Sequence, residues 1–370
     1  MEDNSGIDPK QYELTPPAHL FRLSGGIKLI VDAGAKCQVI GIKPGREAHF
    51  SLNGRKIGAT LFDYSNIRVL ARTKCYDDDE LLDPISDNLA LRAFGPDGKC
   101  VAFSQEFYWS GVSHVFHEQG KYLEEGYVRR LTTQIRTCLR RFEKLFIAYS
   151  MFLETLAESP PQKGHLVRDK HTVNIGGEFG ALLDGLYALR DAVNAVAFRV
   201  LFGDEALLHT KKFKIKVLAN TQSAFAQLVN ASMFDEQNGD LLLSRMSTYR
   251  SVALHCMGTS NPVTADSVLF REETGLFGPI LRAVYPLYDD MAKLREIERG
   301  TAVGFSFRSN LDELKRFVEL RTHDDALDFG FDCFVRLLTM ARLLGDELGL
   351  ESRHFEITDR DIIGTTTRGQ

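Results

Sequence analysis

Cysteine is sparse and scattered in this chain. Cys37, Cys75, Cys100, Cys138, Cys256 and Cys333 form no CxxC pair, and no histidine stands near them at zinc-ligand spacing. A structural zinc or a redox dithiol is therefore not expected, and the six read as reduced, mostly buried thiols. Long apolar runs are missing too: no stretch approaches the ~18 residues of a membrane span. The start, "MEDNSGIDPKQYELTPP", is acidic and polar where a secretory signal needs a basic start and an apolar run. These absences predict a cytoplasmic protein with no membrane partner. A P-loop, a dinucleotide fingerprint and a serine-hydrolase elbow are absent, which argues against those enzyme classes. Nor is there a basic excess, because 45 Lys and Arg against 50 Asp and Glu leave a formal charge of -5. A coat of positive charge for bulk nucleic-acid binding is excluded, and any basic patch must be found by position.

What is present fits a globular protein. With 370 residues, 44% hydrophobic and 26% charged, the chain is long enough for two cores. From His19 to about His117 short apolar runs alternate with turn residues, as in "IKLIVDAG", "CQVIGIKPG" and "LALRAFGPDGKCVAF". Asn53-Gly54 suits a two-residue hairpin and Pro96-Asp97-Gly98 another turn, so this region reads as a small antiparallel β domain. Its acidic run "YDDDELLD" reads as a solvated loop. After Gly120 the period changes. Leu131, Ile135, Cys138, Phe142, Leu145, Tyr149, Phe152 and Leu156 step by threes and fours, which lays one apolar stripe along a long helix.

The prolines and paired glycines of "SPPQKGHLVRDKHTVNIGG" then predict a break, and Phe179, Leu182, Leu186, Val193, Val196 and Val200 a second helix. Further helices are expected near Gln222 to Phe234, Asp240 to Gly258 and Asp324 to Leu348, while "ADSVLFREETGLFGPILRAVYPLYDDMAKLREIERG" reads as partly helical. The expected class is α+β: a polar tail (1–18), a β-rich sensing or docking domain (19–118), an α-helical bundle (119–358) and a C-terminal tail (359–370).

The sharpest chemical signal is "TYRSVALHCMG", which places Arg250 and His255 on one helix. Residues four apart share a face, so Ser251 lies one turn before His255. With Ser244, Ser247 and Thr248 it predicts a polar stripe, opposite a core face of Leu242, Met246, Tyr249, Ala253 and Met257. Arg250 sits at the border, with a stem long enough to swing its guanidinium toward the stripe. Arginine offers a planar fork for two phosphate oxygens, and histidine exchanges protons near neutrality. In RNA the 2'-hydroxyl is a built-in nucleophile, so cleavage needs a base, an acid and a cation but no metal and no cofactor. One helix supplies one histidine, and a second copy across a two-fold axis completes the set.

Arg250, four intervening residues and His255, followed by a glycine turn and a last amphipathic helix, resemble the HEPN superfamily (higher eukaryotes and prokaryotes nucleotide-binding) over roughly Tyr122 to Phe355. The resemblance implies a metal-independent endoribonuclease acting as a homodimer on RNA, in a toxin or antiviral role; because a constitutively active RNase would be harmful, a regulating β domain or a regulatory protein partner is expected. In that reading Arg250 and His255 are catalytic and Ser251 assists. The family favours Asn, Asp or His after the arginine, where this chain has Ser251.

Other features support this reading or have a bland alternative. Arg129, Arg130, Arg136, Arg140, Arg141 and Lys144 crowd the first long helix, as an RNA-backbone surface or a solvated face. Glu178, Asp184 and Asp191 on the second helix are candidate acids to orient Arg250 or His255, or ordinary surface charge. Lys211, Lys212, Lys214 and Lys216 read as a solvated linker. Two rival functions stay open: a non-catalytic nucleotide- or protein-binding module, and a helical scaffold whose β domain acts through "EFYWSGVSHVFHE".

Overall fold

The computed structural model describes residues 18–31, 36–40, 49–51, 68–75, 92–93, 101–158, 166–203, 209–255, 268–275, 278–285, 287 and 325–350. Strands β1 (Ala18–Leu23), β2 (Lys28–Val31), β3 (Lys36–Ile40), β4 (His49–Ser51), β5 (Val69–Cys75) and β6 (Arg92–Ala93) form an antiparallel sheet in the order β4-β3-β2-β1-β5-β6. Helices α1 (Val101–Glu118) and α2 (Tyr122–Glu158) follow, then β7 (Leu166–Val167) and α3 (Lys170–Val196), which runs on through a π turn at Ala197–Leu201. Next come α4 (Thr210–Ala219), α5 (Ala224–Met233), α6 (Leu242–His255), the strands β8 (Val268–Gly275) and β9 (Gly278–Val284), and α7 (Ala326–Leu348). The protein is α+β, mostly helical, with its larger antiparallel sheet near the N-terminus.

α2 and α7 form where the apolar period places them. Leu131, Ile135, Cys138, Phe142, Leu145, Tyr149 and Phe152 are all buried along α2, and Leu327, Phe331, Phe334, Leu337, Leu338 and Leu344 along α7. Full burial of each large side chain is worth about 1.5–3 kcal/mol, which is why these stripes decide the packing. α2 and α7 meet at Phe142 and Phe331, with ring centroids 6.0 Å apart. α3 joins them closely, since a Cβ on Gly330 would stand 2.7 Å from Cδ2 of Leu182. The start of α3 is set by a capping box: Asp169 accepts from the backbone of His171 and Thr172, while the Thr172 side chain pairs with the Asp169 backbone N–H.

Several expectations are corrected. The stretch "VAFSQEFYWSGVSHVFHE" is helix α1, so strands do not extend to residue 118. Its aromatics suit a strand, yet Trp109, Val112 and Phe116 recur at helical spacing and are buried, and the period wins over the propensity. Gly176 and Gly177 lie inside α3 instead of before it. "VLFREETGLFGPILRAV" is a hairpin, with Gly275 opposite Gly278 and β8 also paired to β7. The four lysines from Lys211 to Lys216 ride on α4, whose Phe213 and Val217 are buried, and not on a linker. The turns at Asn53-Gly54 and Pro96-Asp97-Gly98, the run "YDDDELLD", both tails and Gly258 lie outside the described residues.

Candidate active site at the junction of α3 and α6

α6 is held to the core by Leu243, Met246 and Tyr249, all buried, with Tyr249 edge-on to Phe329 at 5.1 Å. The polar stripe opposite is only partly a surface. Thr248 is buried, its hydroxyl donating to the Ser244 carbonyl at 3.3 Å, and Ser247 donates to the Leu243 carbonyl at 2.8 Å. A hydroxyl satisfied by its own helix one turn back can be buried cheaply, which a reading by polarity alone misses.

Arg250 leaves this helix toward α3. Its Nε donates to Oδ1 of Asp184 at 2.8 Å, and its guanidinium carbon lies 4.2 Å from the ring centroid of Tyr187. The same ring carries Arg190, at 3.8 Å. Cation–π contact fixes both planar groups against the aromatic face. The two arginines then differ. Arg190 spends every nitrogen: Nε and Nη2 go to Asp191, at 3.1 and 2.7 Å, and Nη1 goes to the Ser247 hydroxyl at 2.6 Å. Arg250 spends only Nε among the described residues, and both Nη groups stay uncommitted on a side chain that is 31% exposed. What remains is an oriented fork, the geometry that takes two oxygens of a phosphate or carboxylate.

The other predicted residues are placed as follows. Asp184 meets Arg250, and Asp191 meets Arg190 instead. Glu178 touches neither arginine, and its Oε2 is buried with no hydrogen-bond partner among the described residues. Ser251 is half-buried on α6. His255 ends the α6 backbone, and its side chain lies outside the described residues. Tyr187 and Arg190 are functional candidates that the sequence pattern does not single out. Their signal is "DGLYALRD", where polar groups interrupt an apolar helix at steps of three and four.

On α2 the six cations fall into two sets. Arg129 is paired with Glu125 at 3.1 Å, and Arg136 with Glu106 at 2.7 Å. Arg130, Arg140, Arg141 and Lys144 are exposed and make no ion pair or hydrogen bond among the described residues. Elsewhere, Trp109 is buried in α1, so "EFYWSGVSHVFHE" presents no tryptophan to solvent. Cys138 and Cys333 are free and buried, and burial pushes the Cys138 thiol well above its ordinary range. No group of metal-ligating residues occurs among the described residues, and no described helix is long and apolar enough to cross a membrane. No family model, curated protein or solved structure matches this chain.

Proposed function

We propose that the protein is a metal-independent endoribonuclease of HEPN type, working as a cytoplasmic homodimer in a toxin or antiviral role, with Arg250, His255 and Ser251 as its catalytic set. One observation carries the reading: Arg250 is anchored through Nε and stacked on Tyr187, while both its Nη groups stay open. Such a fork neutralises the charge that grows on a phosphodiester when the adjacent 2'-oxygen attacks phosphorus. The 2'-oxygen–phosphorus bond forms, the bond to the 5'-oxygen breaks, and the products are a 2',3'-cyclic phosphate and a 5'-hydroxyl. One histidine takes the 2' proton and a second, from the other copy, protonates the leaving oxygen. No cofactor enters the scheme.

The test is RNA cleavage by the purified full chain in EDTA, beside Arg250→Ala and His255→Ala. Wild type is expected to yield cyclic-phosphate ends. Each substitution lowers the rate by roughly 10²-fold or more, on the scale of a lost electrostatic donor or general acid–base group. Intact RNA with wild type, under conditions where the protein is dimeric and folded, sinks the reading. So does cleavage that survives His255→Ala.

A further inference from the structure

We infer that the solvent face of α2 is the track on which this site receives the phosphate backbone of single-stranded RNA, with Arg130, Arg140, Arg141 and Lys144 as its contacts and Arg141 as the joint to Arg250. The choice of RNA rests on the ribonuclease reading; the track itself rests on the charge pattern of α2.

At about 100° per residue, Arg130, Thr133, Thr137, Arg140, Arg141 and Lys144 fall within roughly one-third of the helix circumference. From Arg130 to Lys144 the helix rises about 21 Å. Between the cations the surface is low. Thr133 and Thr137 donate their hydroxyls to the carbonyls of Arg129 and Thr133, both at 2.9 Å. Between Arg130 and Lys144 no large apolar side chain stands in that arc, and the exposed Tyr122, Leu123 and Met151 lie at opposite ends of α2, so they form no single patch for a lipid bilayer to bury. Three of the four open cations are arginines, which suits phosphate oxygens better than a diffuse acidic surface.

The charge is also asymmetric across the helix. Arg136 is neutralised by Glu106 of α1, and Arg129, which shares that flank, by Glu125. The opposite flank faces α3, where a Cβ on Gly185 would lie 3.8 Å from Cγ of Arg141. Gly185 adjoins Asp184, the residue that holds Arg250. The open cations thus lead toward the open fork, while the ion pairs lie away from it. A strand leaving Arg250 across α3 meets Arg141 first and then the rest of the row.

The experiment is fluorescence anisotropy of the full-length His255→Ala protein on a short labelled single-stranded RNA, at several salt concentrations. The same measurement is made with DNA of equal sequence and with duplex RNA. Four phosphate contacts predict a log–log salt slope near -3, from about 0.7 per contact on a single strand. Changing Arg140, Arg141 and Lys144 together to Gln is expected to weaken binding at least tenfold and to flatten the slope to near -1. Changing the ion-paired Arg129 and Arg136 to Gln alters affinity less than twofold. Weaker binding of the duplex, with single-stranded DNA close to single-stranded RNA, supports a backbone track.

Unchanged affinity in the triple variant overturns the inference. Equal losses in the two variant sets, or tighter binding to phosphatidylserine vesicles or polyglutamate than to RNA, also overturn it. The two proposals fail separately. RNA bound through α2 but never cleaved by wild type removes the nuclease and keeps the track. Cleavage with an unchanged KM in the triple variant does the reverse. All five positions are exposed on a helix whose opposite face forms the core, and circular dichroism checks that each variant folds.

Discussion

At the scale of single residues, Asp184 both helps and opposes the proposed chemistry. Its Oδ1 holds the Arg250 Nε at 2.8 Å, and its negative charge stands beside the place where a phosphate would bind. Replacing it by Asn keeps an acceptor at Oδ1 and removes the charge, so Asp184→Asn is expected to lower KM for RNA several-fold with kcat little changed. Asp184→Ala removes the anchor as well, and kcat is expected to fall about tenfold. Steady-state cleavage of one oligonucleotide by both variants decides the matter, and equal effects from Asn and Ala contradict the positioning role. Part of this is legible in the sequence: Arg250 by its spacing from His255, Asp184 as an acid on a neighbouring long helix. Tyr187 and Arg190 are not, because a ring shared by two arginines exists only once α3 and α6 are packed.

At the scale of one element, the N-terminus of α7 shows what an apolar stripe cannot tell. Asp325 stands at the helix N-cap but makes no side-chain cap. Its Oδ1 instead accepts from the Tyr149 hydroxyl at 2.6 Å and from the Tyr285 backbone N–H at 2.8 Å, while Oδ2 is buried without a partner among the described residues. Burial, and then the neighbouring Asp328 charge, push the Asp325 carboxyl from 3.8 up to about 7 against the opposing pull of Arg282, the Tyr149 hydroxyl and the Tyr285 N–H. The folded state therefore binds a proton that the unfolded state has released between these values. Stability from this group is complete below about pH 4 and is lost as pH rises through 7, a total on the order of 4 kcal/mol. Asp325→Asn keeps the acceptor and cannot ionise, so its advantage over wild type in chemical denaturation should grow from pH 5 to pH 8. A constant difference across that range contradicts the assignment. The helix itself is readable from Leu327 to Leu344, whereas the β8–β9 hairpin, which leads into Tyr285, reads as partly helical in sequence because short apolar runs do not declare their period.

At the scale of the whole molecule, the N-terminal sheet meets the helices through an acidic ladder on α7, through the Ser24–Gly26 turn and through the buried Arg22 of β1, which lies 5.0 Å from the Phe146 ring of α2. Asp328 accepts from the Ser24 hydroxyl at 2.7 Å and from Arg282 at 2.5 Å, and Asp332 takes both terminal nitrogens of Arg68, just before β5. The turn Ser24–Gly26 presses into the same place. Gly25 and Gly26 have φ of 71° and 81°; a Cβ on Gly25 would overlap Cγ of Arg282, and one on Gly26 would stand 2.8 Å from Cβ of Tyr149. Positive φ and lack of room both demand glycine there. The alternation of short strands and turns foretells a sheet, but the ladder pairs residues some 260 to 300 positions apart, which no local pattern encodes. If these contacts carry the docking, removing the acids should loosen the sheet while leaving the helical core intact. Asp328→Ala with Asp332→Ala is therefore expected to raise amide exchange across residues 18–31 by at least tenfold while α3 keeps its protection, because α3 is packed through the apolar Leu182, Leu186 and Val193, and Leu182 meets α7 at Gly330, on the face away from the two acids. Exchange that rises equally in β1, β2 and α3 would mean that sheet and helices open as one cooperative unit. The separate sensing or docking role expected of the sheet would then have no independent motion to work through.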